Sequence, residues 1–121
     1  MLTSFEALQL SPALIAVIRD LGYSEPTPIQ VEAIPALLAG RDVIGQSQTG
    51  SGKTAAFALP ILQGVEVEQR ELQALVLCPT RELTAQVGRE MRKLGRDCHG
   101  LQVVELVGGQ PSRAQRDALG R

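Results

Sequence analysis

The chain has 121 residues, of which 44% are hydrophobic and 21% are charged, a size and composition typical of one globular domain. Its formal net charge of -1 at pH 7 provides no overall basic field, so any contact with nucleic acid must come from local geometry. No apolar run is long enough to span a membrane, and the N-terminus, which lacks a basic region, argues against a signal peptide.

Two helices are predicted in the first third of the chain. Ser11 is placed to cap the first helix, Pro12 occupies its first position, and the next glycine ends it. The second helix begins in the same way after Thr27 and ends at Gly40. Pro35 lies inside this second helix and is expected to break or kink it, because proline cannot donate a backbone hydrogen bond.

The rest of the chain alternates between short apolar segments and helices. The segments 42–46, 74–78 and 101–107 are predicted to be β-strands. Helices are predicted over residues 53–62, after Thr80, and over residues 112–119. Because strands that alternate with helices form parallel sheets, the fold is predicted to be α/β, with helices flanking a parallel sheet.

The sharpest functional pattern is a glycine-rich loop between the first predicted strand and the following helix. Its residues are Ser47, Gln48, Thr49, Gly50, Ser51, Gly52, Lys53 and Thr54. Backbone N–H groups in such a loop bind phosphate together with the N-terminal end of the next helix. Lys53 is predicted to contact the β- and γ-phosphates and Thr54 to offer its hydroxyl to Mg²⁺, so these two are the expected catalytic residues. The alternative, a plain glycine turn with a helix-capping threonine, would not require this lysine.

A second segment, residues 22–30, indicates which base is bound. With Phe5 upstream of it, the segment resembles the Q motif of DEAD-box helicases. The resemblance implies that Gln30 and Thr27 belong to an adenine site and that Phe5 and Tyr23 form a platform for the base. A glutamine amide can donate to N7 of adenine and accept from its exocyclic amine, whereas guanine presents acceptors at both places. The alternative is structural, since Thr27 and Gln30 also match a helix capping box.

The resemblance to the DEAD-box family continues along the chain. Residues 48–54 match motif I, although the family often has alanine where this chain has Ser47. Residues 79–83 look like motif Ia, and residues 108–109 look like the GG motif, in the family's order. In the family both motifs contact the RNA backbone. The resemblance therefore assigns RNA binding to Pro79, Thr80, Arg81, Gly108 and Gly109.

Two of the RNA contacts have structural alternatives. Arg81, at a helix start, is placed to meet a phosphate, and the alternative is a salt bridge to a nearby carboxylate. A basic stripe on the helix after Thr80 could contact RNA or could simply be a solvated helix face. The stripe consists of Arg89, Arg92, Lys93 and Arg96.

The family continues after the GG motif with elements that this sequence does not contain. They are the DEAD motif, whose acidic residues hold Mg²⁺ and position water, and a second RecA-like domain. Glu105 is a poor substitute for these acids because it lies inside a predicted strand. We therefore expect residues 1–40 to be a Q-motif helical segment for adenine recognition. Residues 41–121 are expected to be the first, incomplete part of a RecA-like P-loop NTPase domain, truncated before the DEAD motif.

The resulting functional hypothesis is the ATP-binding part of an ATP-dependent RNA helicase, whose 121 residues alone do not hydrolyse ATP. The expected cofactors are ATP and Mg²⁺. The expected partner is RNA, structured or ribosomal, because residues 72–83 and 108–111 most resemble a bacterial subgroup that acts on ribosomal RNA. No membrane contact and no obligate oligomer are expected. The alternatives are a different P-loop ATPase and a non-catalytic nucleotide- or RNA-binding module.

The cysteines indicate the compartment. Cys78 and Cys98 are not arranged as a CxxC motif, so we expect free thiols and a cytoplasmic location. Cys98 lies next to the only histidine, His99, but two ligands are too few for a metal site.

Overall fold

The regular secondary structure of the described residues, 4–48, 52–109 and 111–120 of a computed structural model, is helical. A 3₁₀ helix at Phe5–Leu8 is followed by α1 (Pro12–Asp20), α2 (Pro28–Leu38), α3 (Lys53–Gly64), α4 (Arg81–Leu94) and α5 (Ser112–Leu119). Helix α3 packs against both α2 and α4. No helix in these ranges combines the length and the apolarity that a membrane crossing requires.

The predicted helix caps at Ser11 and Thr80 are confirmed. Ser11 Oγ accepts a hydrogen bond from the backbone N–H of Leu14 at 3.3 Å, and Thr80 Oγ1 accepts one from Leu83 at 3.1 Å. Each hydroxyl satisfies one of the N–H groups that the first turn of a helix leaves unpaired. The starts of α1 and α4 are therefore determined by local sequence.

Helix α2 continues through Pro35 and ends at Leu38, so the break considered at this proline does not occur. The helix lacks the hydrogen bond that Pro35 cannot donate. However, Ala33 and Ile34 on the same turn are buried, and burial of apolar surface contributes about 25 cal/mol per Å². Burial of this turn offsets the missing bond.

The core lies where the first four α-helices meet. Its least exposed large side chains are Val17, Ile18, Ile34, Leu59 and Leu94. Phe5 and Leu8 of the 3₁₀ helix join the same cluster. Because these side chains come from five separate elements, mutual burial rather than the propensity of any one helix holds the elements together.

The three segments predicted to be strands, 42–46, 74–78 and 101–107, carry no regular secondary structure, so the parallel sheet is not confirmed. A strand is stable only when a neighbouring strand pairs with its backbone. Within the described ranges, no backbone hydrogen bond joins these segments to one another. The side chains of Ile44 and Leu77 are accordingly 102% and 85% exposed. Where strands were predicted to alternate with helices, the described residues show helices separated by apolar segments whose backbones are not paired with one another.

Candidate nucleotide-binding and nucleic-acid site

The glycine-rich loop leads into the N-terminus of α3. The structure describes Ser47 and Gln48 on one side and Gly52, Lys53 and Thr54 on the other, whereas the predicted contacts at Thr49, Gly50 and Ser51 lie outside the described residues. Gly52 caps α3 with a φ of 81°, a left-handed conformation that favours glycine. Lys53 and Thr54 are the first residues of α3 and lie at the positive end of its dipole. This placement suits an anion.

The side chain of Lys53 reaches back across the loop. Its Nζ donates a hydrogen bond to the backbone carbonyl of Ser47 at 2.7 Å. Lys53 is also exposed, so the ammonium is accessible to a ligand. A charge-assisted bond to phosphate is stronger than a bond to a neutral carbonyl, and a phosphate in the loop would therefore take over this contact.

Gln30 connects the start of α2 to the same loop. Its Oε1 accepts from the backbone N–H of Thr27 at 3.0 Å, and its Nε2 donates to the carbonyl of Gly52 at 3.1 Å. The side chain is only 4% exposed, and a Cβ on Gly52 would lie 2.3 Å from Nε2. Of the predicted capping box between Thr27 and Gln30, the half in which Gln30 accepts from the Thr27 N–H is present, whereas the Thr27 side chain forms no capping hydrogen bond among the described residues. The bond to Gly52 goes beyond it, because a capping box requires no contact outside its own helix.

The Thr27 hydroxyl lies at this junction as well. Its Oγ1 is buried and has no hydrogen-bond partner of good geometry within the described ranges. The Thr27 methyl would lie 3.3 Å from a Cβ on Gly52, so the threonine side chain packs directly against the loop. A buried polar group left unsatisfied costs about 1–3 kcal/mol. A polar ligand at this junction would remove that cost.

The two aromatic side chains predicted to hold adenine both contact protein. Phe5 is 4% exposed and lies in the core. The hydroxyl of Tyr23 donates to the carboxylate of Glu90 on α4, and the ammonium of Lys93 lies 5.8 Å from the Tyr23 ring centroid. Burial, followed by the hydrogen bond to Glu90 and its charge, raises the pKa of Tyr23 to about 12, so the hydroxyl stays protonated. The adenine contacts of Phe5 and Tyr23 stay a prediction.

The two segments predicted to bind RNA meet at Arg81. Its Nη1 donates a hydrogen bond to the carbonyl of Gly108 at 3.2 Å. Gly109 has a φ of 81°, and a Cβ there would lie 2.9 Å from the same nitrogen. Within the described ranges Arg81 forms no ion pair, so its contact is with a carbonyl rather than with a carboxylate. The guanidinium, the first turn of α4 and the glycine turn therefore lie side by side.

Three of the four cations of the predicted basic stripe are paired with carboxylates, and one of these three, Arg96, follows the end of α4. The pairs are Arg92 with Glu105 at 2.6 Å, Lys93 with Glu90 at 3.7 Å and Arg96 with Asp20 at 2.6 Å. Arg89 has no ion-pair partner in the described part of the chain. Because paired cations present less net positive charge to a phosphate, an ion-paired helix face describes most of this stripe better than an RNA contact.

Two further contacts had no signal in the sequence. The carboxylate of Glu105 lies so close to α4 that a Cβ on Gly88 would be 2.4 Å from its Oε2. Gln115 of α5 forms hydrogen bonds with both backbone groups of Val107. A glutamate in an apolar segment and a glutamine in a polar helix do not indicate their partners. Only Gly88, a glycine inside an amphipathic helix, could have suggested that another part of the chain approaches α4 closely.

The family model described as DEAD/DEAH box helicase matches residues 27–121. The chain is 50% identical over 117 residues to the ATP-dependent RNA helicase DeaD of Escherichia coli K12, covering 97% of this chain and 19% of that protein. It is also 50% identical over 119 residues to the ATP-dependent RNA helicase DbpA of the same organism, covering 98% of this chain and 26% of DbpA. The chain therefore spans about a fifth to a quarter of the length of these relatives.

Solved structures resemble the chain over most of its length. A DEAD box protein from the hyperthermophile Methanococcus jannaschii superimposes with a TM-score of 0.90 and 37% identity, covering 96% of this chain and 32% of that one. Saccharomyces cerevisiae Dbp5 bound to RNA and ADP BeF3 superimposes with a TM-score of 0.73 and 41% identity, covering 77% of this chain and 24% of that one. The helices thus have the arrangement found in RecA-like helicase domains.

Proposed function

The chain belongs to the DEAD/DEAH box helicase family, and we propose that it is the ATP-binding part of an RNA helicase that couples ATP hydrolysis to the separation of RNA strands. The contact of Gln30 Nε2 with the Gly52 carbonyl, at 3.1 Å, carries this proposal. This contact holds Gln30, in the segment proposed to recognise adenine, against the residue that precedes Lys53. A single nucleotide whose base contacts Gln30 and whose phosphates contact Lys53 would require the two to lie this close together. No contact described above favours a different P-loop ATPase or a non-catalytic module.

For the phosphates, the proposal assigns Lys53 to the β- and γ-phosphates and Thr54 to Mg²⁺. Lys53 would exchange its contact with the Ser47 carbonyl for a phosphate oxygen. Mg²⁺, when bound, neutralises charge on the phosphates, and the Thr54 hydroxyl at the helix start is a suitable ligand for it. The left-handed Gly52 and the Thr27 hydroxyl, which has no hydrogen-bond partner among the described residues, fit an anion-binding junction at this end of α3.

For adenine, the proposal uses the hydrogen-bonding capacity that Gln30 retains. A glutamine amide has two N–H donors and two oxygen lone pairs. The contacts with Thr27 and Gly52 use one of each. Gln30 therefore keeps one donor and one acceptor for an adenine edge, so its contacts with Thr27 and Gly52 and the adenine role are compatible.

For RNA, the proposal places a phosphate of the strand between the start of α4 and the glycine turn, with Pro79 and Thr80 next to Arg81. Arg81 Nη1 is bound to Gly108, but a guanidinium carries further N–H donors for a phosphate. Support comes from the relatives, which are named RNA helicases, and from the family resemblance of both segments. The equal identity to DeaD and DbpA does not distinguish one subgroup, and ribosomal RNA stays the proposed target.

We further propose that the segments 42–46, 74–78 and 101–107 are strands of a RecA-like parallel sheet in the full-length protein. The exposed apolar side chains at Ile44 and Leu77 support this, since sheet neighbours would cover them. The acids that hold Mg²⁺ and position water would come from a DEAD motif elsewhere in that protein. The division at residues 40 and 41 between adenine recognition and the RecA-like part belongs to the same proposal.

The proposed location is the cytoplasm, and no obligate oligomer is required. Cys78 and Cys98 are free thiols. Burial, and secondarily the charge of Asp97, raises the pKa of the Cys98 thiol, which keeps it in the less reactive protonated form. Free thiols are typical of a reducing compartment.

The test is calorimetric titration of ATP into the full-length protein with Lys53→Ala. A charge-assisted phosphate contact is worth about 1.5–3 kcal/mol, so ATP affinity is expected to fall by roughly 10–100-fold. Arg70→Ala, at an exposed arginine with no ion pair in the described ranges, is the control and should bind as the wild type does. Equal ATP affinity of the Lys53→Ala variant and the wild type would remove Lys53 from the phosphate site and overturn the proposal.

A further inference from the structure

The side chain of Gln115 pairs with the backbone of Val107 as a neighbouring strand would. Its Oε1 accepts from the Val107 N–H at 2.9 Å, and its Nε2 donates to the Val107 carbonyl at 3.2 Å. The two residues are eight positions apart. Gln115 is half-buried, while α5 as a whole contains no buried residue. The pair is therefore a principal attachment of α5 to the preceding segment.

The glycine turn lies between the two partners of this pair. It begins directly after Val107, with Gly108 and Gly109, and its first carbonyl accepts the bond from Arg81 at 3.2 Å. The turn is thus held on one side by Gln115, through Val107, and on the other by Arg81. Gly109 allows this close approach because it has no Cβ, which would lie 2.9 Å from Arg81 Nη1.

We propose that Gln115 is a positioning residue for RNA binding, which fixes the glycine turn against Arg81 before RNA arrives. The inference rests on the proposed function, because it assumes that Arg81 and the turn contact RNA phosphates. The physical reason is preorganisation. A turn already held by three hydrogen bonds loses less conformational freedom when a phosphate binds, so more of the contact energy appears as affinity.

The experiment uses the full-length protein with Gln115→Met, which keeps the length of the side chain and removes both hydrogen bonds. Gln115→Ala is the second variant, and thermal denaturation reports whether each is folded. Gln102→Met is the matched control, because Gln102 is exposed and forms no side-chain hydrogen bond in the described part of the chain. Hydrogen exchange at the Val107 amide, anisotropy of labelled single-stranded RNA, and calorimetry with ATP are measured for each protein.

The expected result is a separation of the two affinities. Gln115→Met should accelerate exchange at the Val107 amide and weaken RNA binding by about three- to tenfold, the range for one hydrogen bond or slightly more. ATP affinity without RNA should be unchanged, and Gln102→Met should behave as the wild type. Combined with Arg81→Ala, the Gln115→Met effect on RNA affinity should shrink, because both residues act on the same turn.

Three results would overturn the inference. The first is a Gln115→Met protein whose Val107 amide exchanges faster but whose RNA affinity is unchanged. The second is an equal loss of RNA affinity and ATP affinity. The third is a double variant in which the effects of Gln115→Met and Arg81→Ala on RNA affinity add fully. The failure of the proposed function is distinguishable, because in that case the wild type would not bind RNA or Arg81→Ala would leave RNA affinity intact. Hydrogen exchange at the Val107 amide reports on the Gln115 bond without RNA, so it can be measured whether or not the protein binds RNA.

Discussion

Replacing Gln30 by glutamate tests the junction between base and phosphate recognition. The change preserves the shape of the side chain but replaces Nε2 with an oxygen. The bond that Nε2 donates to the Gly52 carbonyl, 3.1 Å long, is therefore lost, while Oε1 can still accept from Thr27. The site is 4% exposed, so water cannot easily replace the missing donor.

The structure sets the size of the effect. The Gly52 carbonyl keeps the bond that it accepts from the Ala56 N–H, so the variant loses one hydrogen bond and should be destabilised by about 0.5–1.5 kcal/mol at neutral pH. Loss of the donor to N7 of adenine should in addition remove about 1–3 kcal/mol of discrimination against the wrong base, or roughly 5–150-fold. Burial raises the pKa of a carboxyl group, and the protonated form can donate again. The defect should therefore become smaller as the pH falls.

The assay is competition of GTP against labelled ATP in the full-length protein, with chemical denaturation run in parallel. Gln102→Glu makes the same chemical change at an exposed site and should alter neither selectivity nor stability. If GTP competes as well as ATP in the wild type, the adenine role of Gln30 is refuted and only its capping role remains. If Gln30→Glu is as stable as the wild type, the bond to Gly52 contributes nothing.

Three further substitutions test individual contacts. Arg81→Ala should weaken RNA binding roughly fivefold, about 1 kcal/mol, for every RNA sequence alike and leave ATP affinity unchanged, because a phosphate contact carries no base information. Gly88→Ala should not stabilise the protein, because the new Cβ would displace the Glu105 carboxylate. In a Glu105→Ala background the same change should raise the free energy of unfolding, measured by chemical denaturation, by about 1 kcal/mol. Tyr23→Phe should cost about 1 kcal/mol at neutral pH through the lost bond to Glu90. Because the pKa of Tyr23 is raised from 10.0 to about 12, this cost should be complete below pH 10 and vanish as the pH rises to 12.

Each of these three predictions has a contradicting outcome. A loss of affinity for only some RNA sequences would assign Arg81 to a base rather than to a phosphate. Equal effects of Gly88→Ala with and without Glu105 would show that the two side chains do not compete for space. A Tyr23→Phe cost that persists at pH 12 would mean that the hydroxyl bond is not its source.

Local signals in the sequence were sufficient for the helices. Ser11 and Thr80 each carry a side-chain oxygen that satisfies an N–H group within the next three residues, and such short-range chemistry can be read directly from the chain. The bond that Gln30 Oε1 accepts from the Thr27 N–H, three residues away, is of the same kind. The strands were not confirmed, because a strand depends on a neighbour, and the apolar segment around Ile44 has none in the described ranges.

The sequence did not predict contacts between residues that lie far apart in the chain. The Tyr23 hydroxyl meets Glu90 across 67 positions, and Arg96 meets Asp20 across 76. The sequence offers each of these polar side chains several possible partners, and only the packing of the helices selects one. The bond from Gln30 to Gly52, 22 positions away, shows the same limit, because it depends on how α2 packs against α3.

Phosphate release with and without RNA, measured for the full-length protein and its Lys53→Ala variant, tests whether this loop belongs to an RNA-stimulated ATPase. We expect RNA to increase turnover in the wild type and Lys53→Ala to abolish it. The 121 residues alone should release no phosphate above background. Turnover that ignores RNA, or that survives Lys53→Ala, would contradict the assignment of this loop to the ATP phosphates of an RNA helicase.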